Sequence, residues 1–318
     1  MNSTRIKRTL GLSLGLTMMA TAVQADISLP GKCVFPEGIT STSDGSLYVG
    51  SMQHGSIYRV PAGSEKAEVF VKDNSNDLVA TLGVYADEAN NRLIACSADP
   101  GIYITEVGDD RFTGKAGTGL RVFDLKTGAA ISSAQFPVGG FCNDITVDSR
   151  GVIFATDTFH GRVIRYDGKD LSVLAMGGVL SDRHWTLNGI DYRAEDNSLY
   201  IVNQSTGQLF RLGLDDKSGL KGIDEVSLSR SLKVPDGLRF IDKGTLGVLE
   251  AGAGQYSTIK LSDGAVNVVS TGLAGTATFA PARGKAWVTA AQGGEFWSAE
   301  GSCEKASHPF TIIETKLR

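Results

Sequence analysis

Four side chains with oxygen donors occupy the same position in a short motif that recurs six times along this sequence. The copies are Pro36-Glu37-Gly38-Ile39, Thr81-Leu82-Gly83-Val84, Cys142-Asn143-Asp144-Ile145, Leu187-Asn188-Gly189-Ile190, Pro235-Asp236-Gly237-Leu238 and Thr276-Ala277-Thr278-Phe279. The fourth position is always apolar, and the third is Gly in four copies. The second position holds Glu37, Leu82, Asn143, Asn188, Asp236 and Ala277. Two carboxylates and two amides are hard ligands that suit one divalent cation: Ca²⁺, with Mn²⁺ or Mg²⁺ as alternatives. Four protein ligands leave positions open to water and substrate among the roughly six to eight that Ca²⁺ takes. No His or Cys stands in this position, which disfavours zinc. Taken singly, each tetrapeptide is an ordinary turn sequence. Turn chemistry does not explain why the polar residue falls in one register.

Each motif precedes a longer repeat: a polar turn, an alternating strand, a short Gly-containing turn and a second strand. The clearest copies are Asp44-GSLYVGSMQHGSIYRV, Arg150-GVIFATDTFHGRVIRYD and Asp196-NSLYIVNQSTGQLFRL. Weaker ones are Asn91-RLIACSADPG, Lys243-GTLGVLEAGAGQYSTIKL and Arg283-GKAWVTAAQGGEFWSA. The second strands start near Leu47, Leu93, Ile153, Leu199, Leu246 and Ala286, at spacings of 46, 60, 46, 47 and 40. The long spacing holds an insertion, Glu106 to Gly119, rich in Gly and charge. The period is two, the strand period, and no convincing amphipathic helix is present. Six units of this length predict an all-β fold, a six-bladed β-propeller over residues 26–318. In a propeller, equivalent positions surround the central axis at one height, so the six second-position side chains should converge.

The same register puts further groups on that face. The turns between second and third strands carry His54 and His160, and His184 lies in the loop leading to Asn188. Imidazoles titrate near neutral pH, so His184 and His160 join Asp236 as candidate catalytic bases, with Asp157 a further one. Asn143, His54 and Trp185 are candidate substrate-binding residues. Trp185, Phe159 and Tyr256 could wall an apolar pocket.

Arg5, Lys7 and Arg8, an apolar run from Leu10 to Ala22 and then Val23-Gln24-Ala25 have the layout of a secretory signal peptide, residues 1–25. The run is shorter than the roughly 20 residues a membrane span needs. A mature chain outside the cytoplasm, in the periplasm, is expected. The net charge of −4 gives no basic footprint for nucleic acid or acidic lipid, so the expected partner is a small-molecule substrate. An oxidising compartment permits disulfides. Cys33 and Cys303 are the favoured pair, tying the chain's two ends together. Cys96 and Cys142 are a second bridge or two buried thiols, and a nucleophilic Cys142 has no flanking signature.

On Pro36-Glu37-Gly38, Asn143-Asp144, Asn188-Gly189-Ile190 and Pro235-Asp236-Gly237, in that order, the chain resembles the family of senescence marker protein-30, gluconolactonase and luciferin-regenerating enzyme. The resemblance implies a six-bladed hydrolase with one catalytic divalent metal, often calcium. It implies Glu37, Asn188 and Asp236 as metal ligands, and Asn143 as a ligand or a substrate-orienting amide. Paraoxonases, which share the fold, carry a catalytic His where this chain has Leu82. They hold a second calcium through an Asp where it has Gly38. Strictosidine synthases lack most of the ring. The reading is a metal-dependent lactonase. The alternatives are a calcium-stabilised propeller that only binds a ligand or protein, and a metal-free condensing enzyme.

Overall fold

The computed structural model describes residues 26–99, 117–137, 140–181, 185–297 and 303–318. The proposed signal peptide, most of the insertion and His184 lie outside them. The chain enters on a two-residue strand, β1 (Ile27–Ser28). Five four-stranded antiparallel sheets follow, each running outward from the axis. The first takes β2 (Pro36–Ser41), β3 (Leu47–Ser51), β4 (Ile57–Val60) and β5 (Glu68–Val71). The second takes β6 (Ala80–Asp87), β7 (Arg92–Ala98), β8 (Gly119–Asp124) and β9 (Ala130–Gln135). The third takes β10 (Cys142–Val147), β11 (Ile153–Asp157), β12 (Arg162–Tyr166) and β13 (Leu171–Met176). The fourth takes β14 (Leu187–Arg193), β15 (Ser198–Asn203), β16 (Gln208–Leu214) and β17 (Leu220–Val226). The fifth takes β18 (Pro235–Asp242), β19 (Thr245–Glu250), β20 (Gln255–Lys260) and β21 (Ala265–Thr271). The sixth is assembled in the order β22 (Phe279–Ala282), β23 (Lys285–Thr289), β24 (Thr311–Lys316), β1. The protein is a six-bladed β-propeller.

One expectation changes in the sixth blade. The repeat alignment places a strand after the turn at Gln292-Gly293-Gly294, but Gly293–Trp297 forms a single helical turn, α1. The third strand comes from β24 instead, which pairs with β23 and with β1. Ile27 faces Ile312, Ser28 faces Thr311, and the Leu29 amide donates to the Phe310 carbonyl at 2.8 Å. The sheet thus closes the ring with a strand from each end of the described chain.

The alternation also has a different cause from a solvent-facing sheet. β3, β11 and β15 are buried at every residue, whereas β9 and β17 are largely exposed. Each blade lies between two neighbours, so both of its faces are covered near the axis. Apolar clusters fill the gaps between blades. Tyr48, Ile57, Val84 and Phe123 join the first and second, and Phe154, Leu187, Ile201 and Phe210 join the third and fourth. Fully burying a side chain of this size contributes about 1.5–3 kcal/mol.

Cys33 bonds Cys303 and Cys96 bonds Cys142, leaving no free cysteine among the described residues. Cys142 is therefore not a nucleophile. Two disulfides indicate an oxidising, extracytoplasmic environment. No helix among the described residues is long and apolar enough to cross a membrane. The Cys33–Cys303 bridge spans 270 residues. A Cys33→Ser/Cys303→Ser variant should lose about 2–5 kcal/mol of stability, read as a lower urea midpoint.

Candidate metal centre at the channel mouth

The ring positions sit where the inner strands break register. Pairing shifts between Pro36 and Ile39, Thr81 and Val84, Cys142 and Ile145, Leu187 and Ile190, and Pro235 and Leu238. Such a bulge turns a side chain out of the sheet, here toward the axis. The Gly that follows has a steric reason. A Cβ on Gly38 would strike the Leu82 carbonyl oxygen, on Gly83 that of Asn143, and on Gly189 that of Asp236. Each inner strand touches its neighbour's backbone, and only Gly permits the approach. Asp144 is the one charged residue at this position.

All six second-position residues, Glu37, Leu82, Asn143, Asn188, Asp236 and Ala277, line one cavity of about 400 Å³. Asn143, Asn188 and Asp236 come from three consecutive blades and form an arc. Glu37 stands across the axis from Asn188, flanked by the apolar Leu82 and Ala277. The Asn143 amide nitrogen donates to Thr158 Oγ1 at 2.9 Å, and that hydroxyl donates to the Leu187 carbonyl at 2.6 Å. The Asn188 nitrogen donates to Gln204 Oε1 at 3.0 Å. The Asn143 nitrogen is thus tied to the wall, while the Asn188 amide also bonds the Asp236 carboxylate.

Beneath the ring lies a buried ion pair. Arg239 Nη1 and Nη2 each donate to a carboxylate oxygen of Asp144 at 2.7 Å. Burial works against the Arg239 charge, but Asp144 outweighs it and holds the guanidinium's pKa above its usual value. The ring carboxylates have no such partner. Burial pushes Asp236 up to about 8, with Asp144 adding and the Asn188 amide opposing. Burial, then Asp236 and Asp144, push Glu37 well above the carboxylate range, against Arg239. Asp236 Oδ1 is buried without a hydrogen-bond partner.

A buried anionic oxygen without a donor costs free energy unless a cation meets it. This orphaned atom, a second carboxylate and two amides fit a hard divalent cation. Among the described residues, no three His, Cys, Asp or Glu side chains gather at a metal site. The ring offers two carboxylates and fills its donor set with amides. Thr158→Val should lower cation affinity about 10–100-fold by freeing the Asn143 amide, with the fold retained, as calorimetric titration would measure.

Above the ring the wall is aromatic. Phe141 stacks on Phe159 with centroids 4.6 Å apart, and Trp185 meets Phe159 at 5.4 Å and Trp297 at 5.7 Å. Phe141, Trp185 and Trp297 line the cavity with Met52 and Ala291. Trp185 has a φ of 59°, unusual for a bulky residue. Ser205 Oγ donates to its carbonyl at 2.5 Å and fixes it there.

The expected gathering of His54 and His160 over the ring does not occur. Both are exposed and neither lines the cavity. His54 Nε2 lies 2.8 Å from the Lys32 carbonyl, and His160 Nδ1 lies 3.2 Å from Asp157 Oδ2. Asp157 is fully buried in structural bonds, accepting from the Phe141 amide at 2.8 Å and Arg162 Nε at 2.6 Å. It holds the Phe141 loop and is not placed to serve as a base. Tyr256 is not a pocket wall. It is buried against Phe279, and its hydroxyl donates to the Leu317 carbonyl at 3.1 Å.

Sequence reading missed Met52, Thr158, Gln204 and Ala251. Each directly follows the second strand of its blade, so the same repeat alignment, taken one residue further, finds this upper tier. It also missed Gly293, Gly294 and Trp297 of α1, which roof the cavity.

A family model described as SMP-30/Gluconolactonase/LRE-like region matches residues 35–292. Among solved structures, the Malassezia sympodialis allergen Mala s 1 is 12% identical, with a TM-score of 0.68 over 92% of this chain and 96% of its own. A regucalcin from Agrobacterium tumefaciens C58, described as a calcium-binding protein, is 15% identical, with a TM-score of 0.63 over 93% and 96%. A gluconolactonase from Xanthomonas campestris is 16% identical, with a TM-score of 0.60 over 82% and 85%. No curated protein matches the chain significantly. Identities this low speak to the fold alone.

Proposed function

The chain belongs to the SMP-30/gluconolactonase/LRE-like family, and from that membership we propose that it is a metal-dependent hydrolase that opens a lactone or related ester. The observation that carries the reading is the convergence of four oxygen donors on one cavity, with Asp236 Oδ1 buried and unpartnered. Glu37, Asn143, Asn188 and Asp236 would hold one divalent cation, Ca²⁺, with Mn²⁺ or Mg²⁺ as alternatives. When bound, it supplies Lewis-acid charge to the scissile carbonyl oxygen, worth several kcal/mol.

The chain's own groups supply the rest. The Asp236 carboxylate, through the oxygen not given to the cation, takes a proton from the attacking water. The water oxygen bonds to the carbonyl carbon, and the bond from that carbon to the ring oxygen breaks. The proton passes from Asp236 to the leaving oxygen, giving a hydroxy acid. The aromatic wall excludes bulk water and orients the substrate. His160 and His54 have no part in this step. The substrate is a small molecule, and the enzyme works in the periplasm.

Chelation tests the reading. Hydrolysis across a lactone panel should fall more than about 100-fold in excess chelator and return on adding Ca²⁺. Undiminished activity in chelator overturns it. Tight Ca²⁺ binding without turnover of any lactone or ester would favour a binding propeller instead.

A further inference from the structure

The cavity above the ring has a chemical character that the ring does not dictate. Its described wall is Phe141, Trp185, Trp297, Met52 and small residues. Two polar side chains join them: Thr276 Oγ1 donates to the Leu273 carbonyl at 2.7 Å, and Gln204 Oε1 accepts from Asn188, which leaves the Gln204 amide nitrogen as the one side-chain amide donor above the ring among the described residues. Beyond the ring, no charged side chain lines the cavity among the described residues. A polyhydroxylated sugar lactone needs a donor or acceptor for each hydroxyl it buries, and each left unpaired is penalised. An aromatic or alkyl group asks for none of these, and it is favoured by burial against three aromatic faces.

Resting on the hydrolase reading above, we infer that the substrate is an apolar lactone or ester, with an aryl or alkyl group seated against Phe141, Trp185 and Trp297. The asymmetry of the ring agrees with this. Leu82 and Ala277 flank Glu37 and extend the apolar surface down to the ring itself. The strained Trp185 backbone is held in place by Ser205, so the indole is presented to the cavity before substrate arrives.

Two measurements on the intact protein test the inference. In the first, kcat/KM is compared for glucono-δ-lactone, γ-butyrolactone, a γ-alkyl series and an aryl-fused δ-lactone, with Ca²⁺ present. The alkyl series should rise about three- to four-fold per methylene until the cavity is filled. The aryl lactone should exceed gluconolactone by about 100-fold. In the second, the aryl lactone is titrated into chelated protein, reading tryptophan fluorescence. Two of the chain's three Trp residues, Trp185 and Trp297, line the cavity, while Trp287 lies in β23. Saturable quenching is expected, and Trp297→Ala should weaken it about 10-fold or more. A circular-dichroism melt of the variant checks that it folds, and wild-type titration stands without it.

Preference for gluconolactone overturns the inference and leaves the hydrolase reading intact. Saturable aryl binding without turnover of any lactone supports the inference about the cavity and removes the hydrolase reading. Absence of saturable aryl binding together with a flat alkyl series overturns the inference outright.

Discussion

Asp236→Asn lowers kcat/KM for lactone opening by about 10³-fold while raising the stability of the cation-free protein. Both effects follow from one carboxylate. The substitution preserves the volume but removes a charged ligand and the proton acceptor. In the cation-free fold the same carboxylate is a liability, since burial pushes its pKa up to about 8. In an unfolded chain it lies near 3.9. The folded state therefore binds more protons than the unfolded one between these values, and stability falls as pH rises through that window. Chelated wild type should melt higher at pH 5 than at pH 8. The variant should lose the share of that slope due to Asp236 and keep the share due to Glu37, whose pKa burial also raises. Added Ca²⁺ should raise the wild-type melting temperature more at pH 8, where it has fewer protons to displace than at pH 5. Thermal scans in chelator and in Ca²⁺, at both pH values, check every part of this. A melt of Asp236→Asn below wild type at pH 8 in chelator would falsify the account of Asp236.

Arg239→Met is the substitution with the largest expected effect on stability, a loss of about 3–5 kcal/mol. It leaves Asp144 buried with only the Ile145 and Ile190 amides donating to it, at 2.9 and 3.0 Å. The guanidinium also donates to the Leu238 carbonyl at 2.7 Å and the Ile190 carbonyl at 2.9 Å, so its removal leaves two blades short of a donor. Its positive charge opposes the rise in the Glu37 pKa. Cation affinity should therefore fall as well. Asp144→Leu in the same chain removes the stranded charge and should recover much of the loss. Urea unfolding of the two single variants and the double variant measures the coupling. Additive losses would show that the pair does not act as a unit.

The propeller was legible because its constraints are local and repeated. Gly38, Gly83, Gly189 and Gly237 recur because adjacent inner strands touch there. Ile39, Val84, Ile145, Ile190, Leu238 and Phe279 recur because each is fully buried, the first five of them behind a bulge. What the sequence concealed was radial distance. His54 and His160 share a face with the ring, but their turns join second and third strands, one or two strand widths of about 4.8 Å outward from the axis. A register assigns height without saying how far from the axis a side chain ends. The sixth blade was obscured for another reason. The repeat register places a strand after Gly294, and the competing strand β24 lies beyond it, where no repeat signal points. The buried pair of Asp144 and Arg239 was invisible because its partners are 95 residues apart.

The way β24 is threaded between β23 and β1 sets an order on biogenesis. Asn143, Asn188 and Asp236 stand on three consecutive blades, and their arc can form as soon as those blades emerge. Glu37 belongs to the first blade, whose inner strand packs on β6 of the second blade from one side and gains its other neighbour, β22, only when the sixth blade arrives. A nascent chain that stops short of Thr311 should hold three ligands of a site whose fourth still wanders. If the ring takes a cation as proposed, its uptake would come late in maturation and favour finished molecules over incomplete ones.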